Sequence, residues 1–176
     1  MRTRTRSITA TGLLLALGIL LPFATAHGFG VAGTVLLPMH LPVFLCGMLC
    51  GPLYGTVCGI LLPMLNSLLT GMPALIPMMP LMMCELATYG AVSGSLYRKT
   101  CLGRSRWGIY PALITAMVCG RIAYGFGFHL LLLIGPQWKM LTVWAAILTG
   151  IPGILLQLIL VPALMLLIER ESKRKK

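Results

Sequence analysis

Residues 34–55 read TVLLPMHLPVFLCGMLCGPLYG. Most of this stretch is apolar enough to sit in lipid. Yet it carries Pro38, Pro42 and Pro52, a histidine at 40, and glycines every fourth residue at 47, 51 and 55. A plain membrane anchor needs none of these. Proline removes a backbone donor and crowds the preceding turn, so it shortens or breaks a helix. Glycines four apart make a smooth face on which a second helix can lie close. The stretch therefore predicts a shortened membrane helix with one tightly packed side.

The rest of the chain agrees with a membrane setting. It has 176 residues, 58% hydrophobic and only 10% charged, with a mean hydropathy of +0.94. Soluble domains carry about a quarter charged residues. We read an all-α integral membrane protein with one domain and six transmembrane helices in a compact bundle. The apolar runs and their Gly/Pro punctuation set the spans at residues 7–26, 34–50, 52–71, 80–98, 107–134 and 141–168.

Charge placement sets the orientation. The net charge is +11. Arg2, Arg4 and Arg6 precede the first span; Arg98, Lys99, Arg104 and Arg106 cluster between the fourth and fifth; Arg170, Lys173, Arg174, Lys175 and Lys176 follow the last. With both termini cytoplasmic, twelve of the fourteen basic residues fall inside, as basic loops resist translocation. Short basic clusters that each abut a lipid-grade segment argue against nucleic-acid binding. The first span also resembles a signal peptide ending at Ala24-Thr25-Ala26, but its removal would spoil this topology, so retention is expected. None of the six cysteines forms a C-x-x-C pair, and five lie in apolar segments. This is neither a disulfide framework nor a zinc site, and no cofactor is expected.

The outer connections are unusual. HGFGVAGTVLLPMHLP, from residue 27, and GMPALIPMMPLMM, from residue 71, are apolar yet rich in Gly and Pro. Irregular backbone at membrane depth persists only where protein covers it or where it lines a cavity. These loops are expected to fold over an outward-facing pocket. Met72, Met78, Met79, Met82 and Met83 crowd the second of them. Thioethers can hold Cu(I), but methionine also makes an adaptable apolar surface, and a flexible gate is the reading preferred here.

Charges inside spans identify the candidate site. Glu85 lies in the fourth span and Arg121 in the fifth. Each costs about 2.5–3.5 kcal/mol to insert at the bilayer centre, so such groups face the bundle interior and pair. Their pair either fixes helix register or lines a polar pocket, and the two roles are compatible. A Glu–Arg pair leaves spare guanidinium donors for a ligand carboxylate. Asn66, Tyr89, Tyr124, His129 and His40 lie toward the same end of their spans and join the candidate binding set. Gln157 reads as an inner-half amide, and Glu169 and Glu171 as solvated residues of the basic tail. No G-x-x-x-x-G-K-[ST] loop occurs in the sequence, so the chain reads as a binding subunit that takes its energy from elsewhere.

The order LPMHLPVFLCGMLCGPLYG, LLTGMP, ELATYGAVSGSLY, from residues 37, 68 and 85, resembles the substrate-binding (S) component of energy-coupling factor (ECF) vitamin transporters, over nearly the whole chain. The resemblance implies a six-helix protein of the cell membrane that captures a micronutrient at the outer face. It implies partnership with a transmembrane coupling subunit and two cytoplasmic ATPases, and docking through small residues of the first helix. Thr9, Gly12 and Ala16 are the nearest match to that docking motif, with Gly12 standing where the family typically has Ala. The M-H-x-P-V version is most similar to the pantothenate-type group. Folate, hydroxymethylpyrimidine, riboflavin or a queuosine precursor would also find partners among these side chains. Two other classes stand as alternatives. A membrane enzyme using Glu85, His40 and Arg121 lacks a nucleophile–base spacing. A self-sufficient small carrier or channel, oligomeric through its glycine faces, would carry flux alone.

Overall fold

The structure is a computed structural model and describes residues 2–29, 37–99, 106–134 and 143–174. Residues 30–33 of the expected outer connection 27–33, residues 34–36 of the expected second span, the connection 135–140, and the basic residues Arg104, Lys175 and Lys176 lie outside these residues. Among them the chain is helical throughout: α1 (Arg2–Phe29), α2 (His40–Cys50), α3 (Pro52–Thr70), α4 (Met78–Lys99), α5 (Ile109–Ile134) and α6 (Val143–Arg174), with one 3-10 turn at Arg106–Gly108. Segments within α1, α3, α5 and α6 are long and apolar enough to cross a membrane. Their outward faces carry the residues that lipid requires: Leu13 and Leu20 on α1, Ile122 and Leu133 on α5, and Leu155 and Ile159 on α6 are all exposed.

The second helix departs from expectation. It starts at His40, after a turn at residues 37–39, so the helical part described within the expected 34–50 span is only eleven residues long. At 1.5 Å per residue that is ~16 Å, about half of a ~30 Å hydrocarbon core. Pro42 sits in its first turn, where a missing N–H costs nothing. Nine of its eleven residues are buried, with Val43, Phe44 and Cys46 fully enclosed. The helix is the centre of the bundle.

Glycine makes that centre possible. A Cβ on Gly90 of α4 would lie 2.2 Å from the Gly55 carbonyl carbon of α3. One on Gly47 of α2 would lie 2.6 Å from the Gly90 oxygen, and one on Gly59 would lie 2.4 Å from the Leu86 backbone. The glycine series of the opening stretch is thus an internal three-helix contact in which backbones meet directly. Gly51 has a different task. Its φ of 111° lies in a region that L side chains rarely adopt. It turns α2 into α3 through a single residue, and Pro52 opens α3 at its first position, where proline is favoured. At the other end of α3, Gly71 adopts a left-handed φ of 73° and donates its N–H to the Ser67 carbonyl at 3.0 Å, a helix C-cap.

Two polar contacts tie the outer helices to this centre. Asn66 Nδ2 of α3 donates to the Gly18 carbonyl of α1 at 3.3 Å and to its own Leu62 carbonyl at 3.1 Å. Tyr97 of α4 donates its hydroxyl to Glu169 of α6. Glu169 is therefore a helix clasp, not the solvated tail residue expected: α6 runs on to Arg174 and keeps it against the bundle. The turn from Gly71 to Pro77 leaves Met72, Leu75 and Ile76 exposed.

Candidate functional site

The site forms where the short helix begins. Leu37, just before α2, has φ 48°, an unfavourable left-handed conformation for a branched aliphatic residue. Its surroundings hold it there. The Leu37 carbonyl accepts the His40 backbone N–H at 3.1 Å and Gln157 Nε2 of α6 at 3.3 Å. Its side chain rests on α6 at Gly150, where a Cβ would come within 3.0 Å of Leu37 Cδ1. Strain of this kind persists only where neighbours over-determine it.

Across from this turn lies the ion pair. Arg121 Nη1 of α5 is 3.0 Å from Glu85 Oε1 of α4. Tyr89, one helical turn beyond Glu85, donates its hydroxyl to the same oxygen at 2.5 Å. Glu85 is 2% exposed. The Tyr89 ring stacks on Phe44 at 4.8 Å between centroids and meets the His40 ring at 5.5 Å. Gly120 gives the ring its place, because a Cβ there would fall 2.0 Å from Tyr89 Cε1. An aromatic column from α2 and α4 thus stands beside the charges.

A cavity of about 410 Å³ opens at this point. His40, Tyr89, Arg121 and Gln157 supply its polar wall; Leu37, Met117, Val118, Ile122 and Ile154 supply the apolar remainder. The size falls within the ~300–1,000 Å³ of small-molecule sites. Several polar atoms here lack a protein partner. Arg121 uses Nη1 on Glu85, but its Nε and Nη2 make no hydrogen bond, and neither do the two ring nitrogens of His40. The Leu37 carbonyl beside the ring already accepts two donors, which fills both its lone pairs. Buried groups left this way are costly unless something else satisfies them.

Four residues of the expected set therefore converge: His40, Glu85, Tyr89 and Arg121. Of these, His40, Tyr89 and Arg121 line the cavity, and Glu85 stands behind them as the partner of Arg121 and Tyr89. The other three lie apart. Asn66 is a clamp between α1 and α3. Tyr124 is buried one turn beyond Arg121, with its hydroxyl 3.9 Å from Met78 Sδ. His129 is exposed on α5. Gln157, read from the sequence as the main buried amide of the inner half and left out of the binding set, lines the cavity and holds the Leu37 turn. Gly150 was also missed. A Cβ on it would lie 3.3 Å from Arg121 Nη2, so the absence of a side chain leaves room for the guanidinium. None of residues 71–77 lines the cavity. Among the described residues no group of His, Cys, Asp and Glu could hold a metal ion.

The expected docking residues lie elsewhere. Thr9, Gly12 and Ala16 are exposed on one outer face of α1, and a Cβ on Gly12 would meet nothing within 4 Å. The opposite face of α1 packs inward through Thr11, Leu14 and Gly18.

No curated protein and no solved structure matches the chain. The family model of the ECF transporter substrate-specific component matches residues 6–165. That match runs from within α1 to within α6; the chain belongs to the substrate-specific component family of ECF transporters, membrane subunits that bind a small molecule and work with coupling and ATPase subunits.

Proposed function

We propose that the cavity beside Arg121 captures a carboxylate-bearing micronutrient for uptake, with pantothenate, the ligand suggested by the sequence resemblance, the first to test. The observation that carries this reading is the half-used guanidinium. Nη1 is committed to Glu85, while Nε and Nη2, two parallel donors on one edge, are buried without a protein partner beside the cavity. A carboxylate matches that edge bidentately. The start of α2 lies in the same wall, and the partial positive charge of a helix N-terminus favours an anion there. His40 offers one further ring N–H. In this reading the chain keeps the expected six-span topology, with α2 as only part of the second span, both termini are cytoplasmic, and the outer face of α1 at Thr9, Gly12 and Ala16 meets the coupling subunit. Energy comes from partner ATPases. An S component for another micronutrient is a second reading, since any ligand with a carboxylate or an equivalent acceptor pair would serve.

The decisive substitution is Arg121→Lys. Lysine keeps a cation for Glu85 but has no second donor edge. Pantothenate affinity, measured by calorimetry on the purified protein, should fall by about 1.5–3 kcal/mol, the scale of a charge-assisted hydrogen bond, with the melting temperature preserved. Unchanged affinity for every carboxylate tried would remove Arg121 from the site.

A further inference from the structure

The cavity is not closed on its α5 side. Val118 and Ile122 line it, yet they are 55% and 66% exposed on the outer surface of the bundle. Ile154 of α6, also in the lining, is only half-buried. The same side chains thus face both the cavity and the surface. In the bilayer that surface is hydrocarbon. The cavity therefore reaches the lipid flank between α5 and α6, with its charged end deep and its apolar end outward.

The polar inventory is as lopsided as the shape. Tyr89 donates to Glu85 and Gln157 Nε2 to the Leu37 carbonyl. Among the described residues that line the cavity, the polar side-chain atoms left without a partner are Nε and Nη2 of Arg121 and the His40 ring nitrogens, all at the buried end. Past them the wall is Met117, Val118, Ile122 and Ile154. Hydroxyl or amide groups placed along that wall would lose their water without gaining partners, a loss of polar solvation that the site cannot repay. Methylenes placed there would gain.

We infer that the site selects an amphipathic monocarboxylate: the carboxylate on the Nε–Nη2 edge of Arg121, and an unbranched apolar body directed between α5 and α6 toward lipid. This rests on the carboxylate-binding reading above and narrows it. It ranks such a ligand above polyhydroxylated ones of equal charge.

The test uses the full chain in phosphatidylcholine nanodiscs, with heats from empty discs subtracted, and three probes: octanoate, methyl octanoate and pantothenate. Octanoate should bind at least tenfold more tightly than its ester and than pantothenate. Ile122→Trp, at an exposed position where the fold tolerates bulk, should block the flank and weaken octanoate at least tenfold. Tighter binding of pantothenate, equal binding of acid and ester, insensitivity to Ile122→Trp, or no binding of octanoate would each overturn the inference. The two readings separate through Arg121→Lys. If pantothenate wins and loses affinity in Arg121→Lys, the carboxylate site stands and only the apolar selectivity fails. If Arg121→Lys changes no probe, both fall.

Discussion

Two sides of this bundle are built on opposite principles. Where α2, α3 and α4 meet, backbone touches backbone through Gly47, Gly55 and Gly90, with no side chain between them. Where α6 meets α5 and α2, the packing is sparse and leaves a cavity with an ion pair at its edge. In lipid, helices gain little from hydrophobic exclusion, and close van der Waals contact has to supply the cohesion. The glycine side concentrates that cohesion. It lets the other side keep an opening and a partly unsatisfied arginine without loss of the fold. The short α2 belongs to both: its glycine end is locked, and its His40 end forms the cavity wall.

The sharpest way to break this contrast is to put bulk into the glycine contact. Gly90→Leu introduces a Cβ where only about 2.2 Å is available to the Gly55 backbone. Main chain cannot yield as a side chain can, so the cost should be about 3 kcal/mol or more. Expression with gel filtration should show loss of a monodisperse protein. A well-folded Gly90→Leu variant would mean that the glycine side is not the rigid half.

Next in size is the ion pair. Glu85→Ala leaves the Arg121 cation buried without its carboxylate, and removing one partner of such a pair costs about 3–5 kcal/mol. Glu85→Gln keeps an acceptor for Tyr89 and should lose less. Thermal melts of both variants test this. Equal stability of Glu85→Ala and the parent would show that the pair carries no structural load and that the cavity is more open to water than its burial implies. The same logic explains why Arg121→Ala is a poor probe of binding: it strands Glu85 and confuses fold with function.

A smaller effect sharpens the comparison at the far end of α6. Tyr97→Phe removes the hydroxyl donated to Glu169 while keeping the ring. A lost hydrogen bond to a charged acceptor at this partly buried site should cost about 1.5–3 kcal/mol at most. Because α6 is otherwise sparsely held, the loss should appear as faster hydrogen exchange in α6 and not in α3. Uniform exchange across the bundle would mean that α6 is anchored elsewhere.

How much of this was legible before the coordinates follows the same division. The Glu85–Arg121 pair was readable because a charge in hydrocarbon demands a partner, and there are few to choose from. The close-packed glycines were readable as an internal packing face, since small residues four apart let helices approach closely, though not which helices they bring together. What the sequence concealed was adjacency between helices. Gln157 and Asn66 are both buried amides in apolar runs; one lines the cavity and the other clamps α1, and their local contexts do not distinguish them. Tyr124 and His129 sit near Arg121 in sequence, but the rotation of α5 buries the first away from the cavity and exposes the second. Leu37 had no signal at all, because its φ is imposed by Gln157 and Gly150, more than a hundred residues away.

The smallest expected stability effect falls on α1, which belongs to neither side of the comparison. Gly12 resembles the buried glycines in sequence: it too stands four residues from a small neighbour, Ala16. In space it is their opposite, with open room where Gly90 has backbone. Gly12→Leu should therefore change the melting temperature hardly at all, within about 0.5 kcal/mol in stability, and should leave ligand affinity intact. Under the docking proposal it should nevertheless abolish uptake that depends on the coupling subunit, because bulk on that face blocks close helix approach from outside. Normal uptake by Gly12→Leu would move the docking surface off α1, and a large loss of stability would mean that this face is packed after all. Between Gly90 and Gly12, one residue type at one spacing thus separates cohesion within the subunit from contact beyond it.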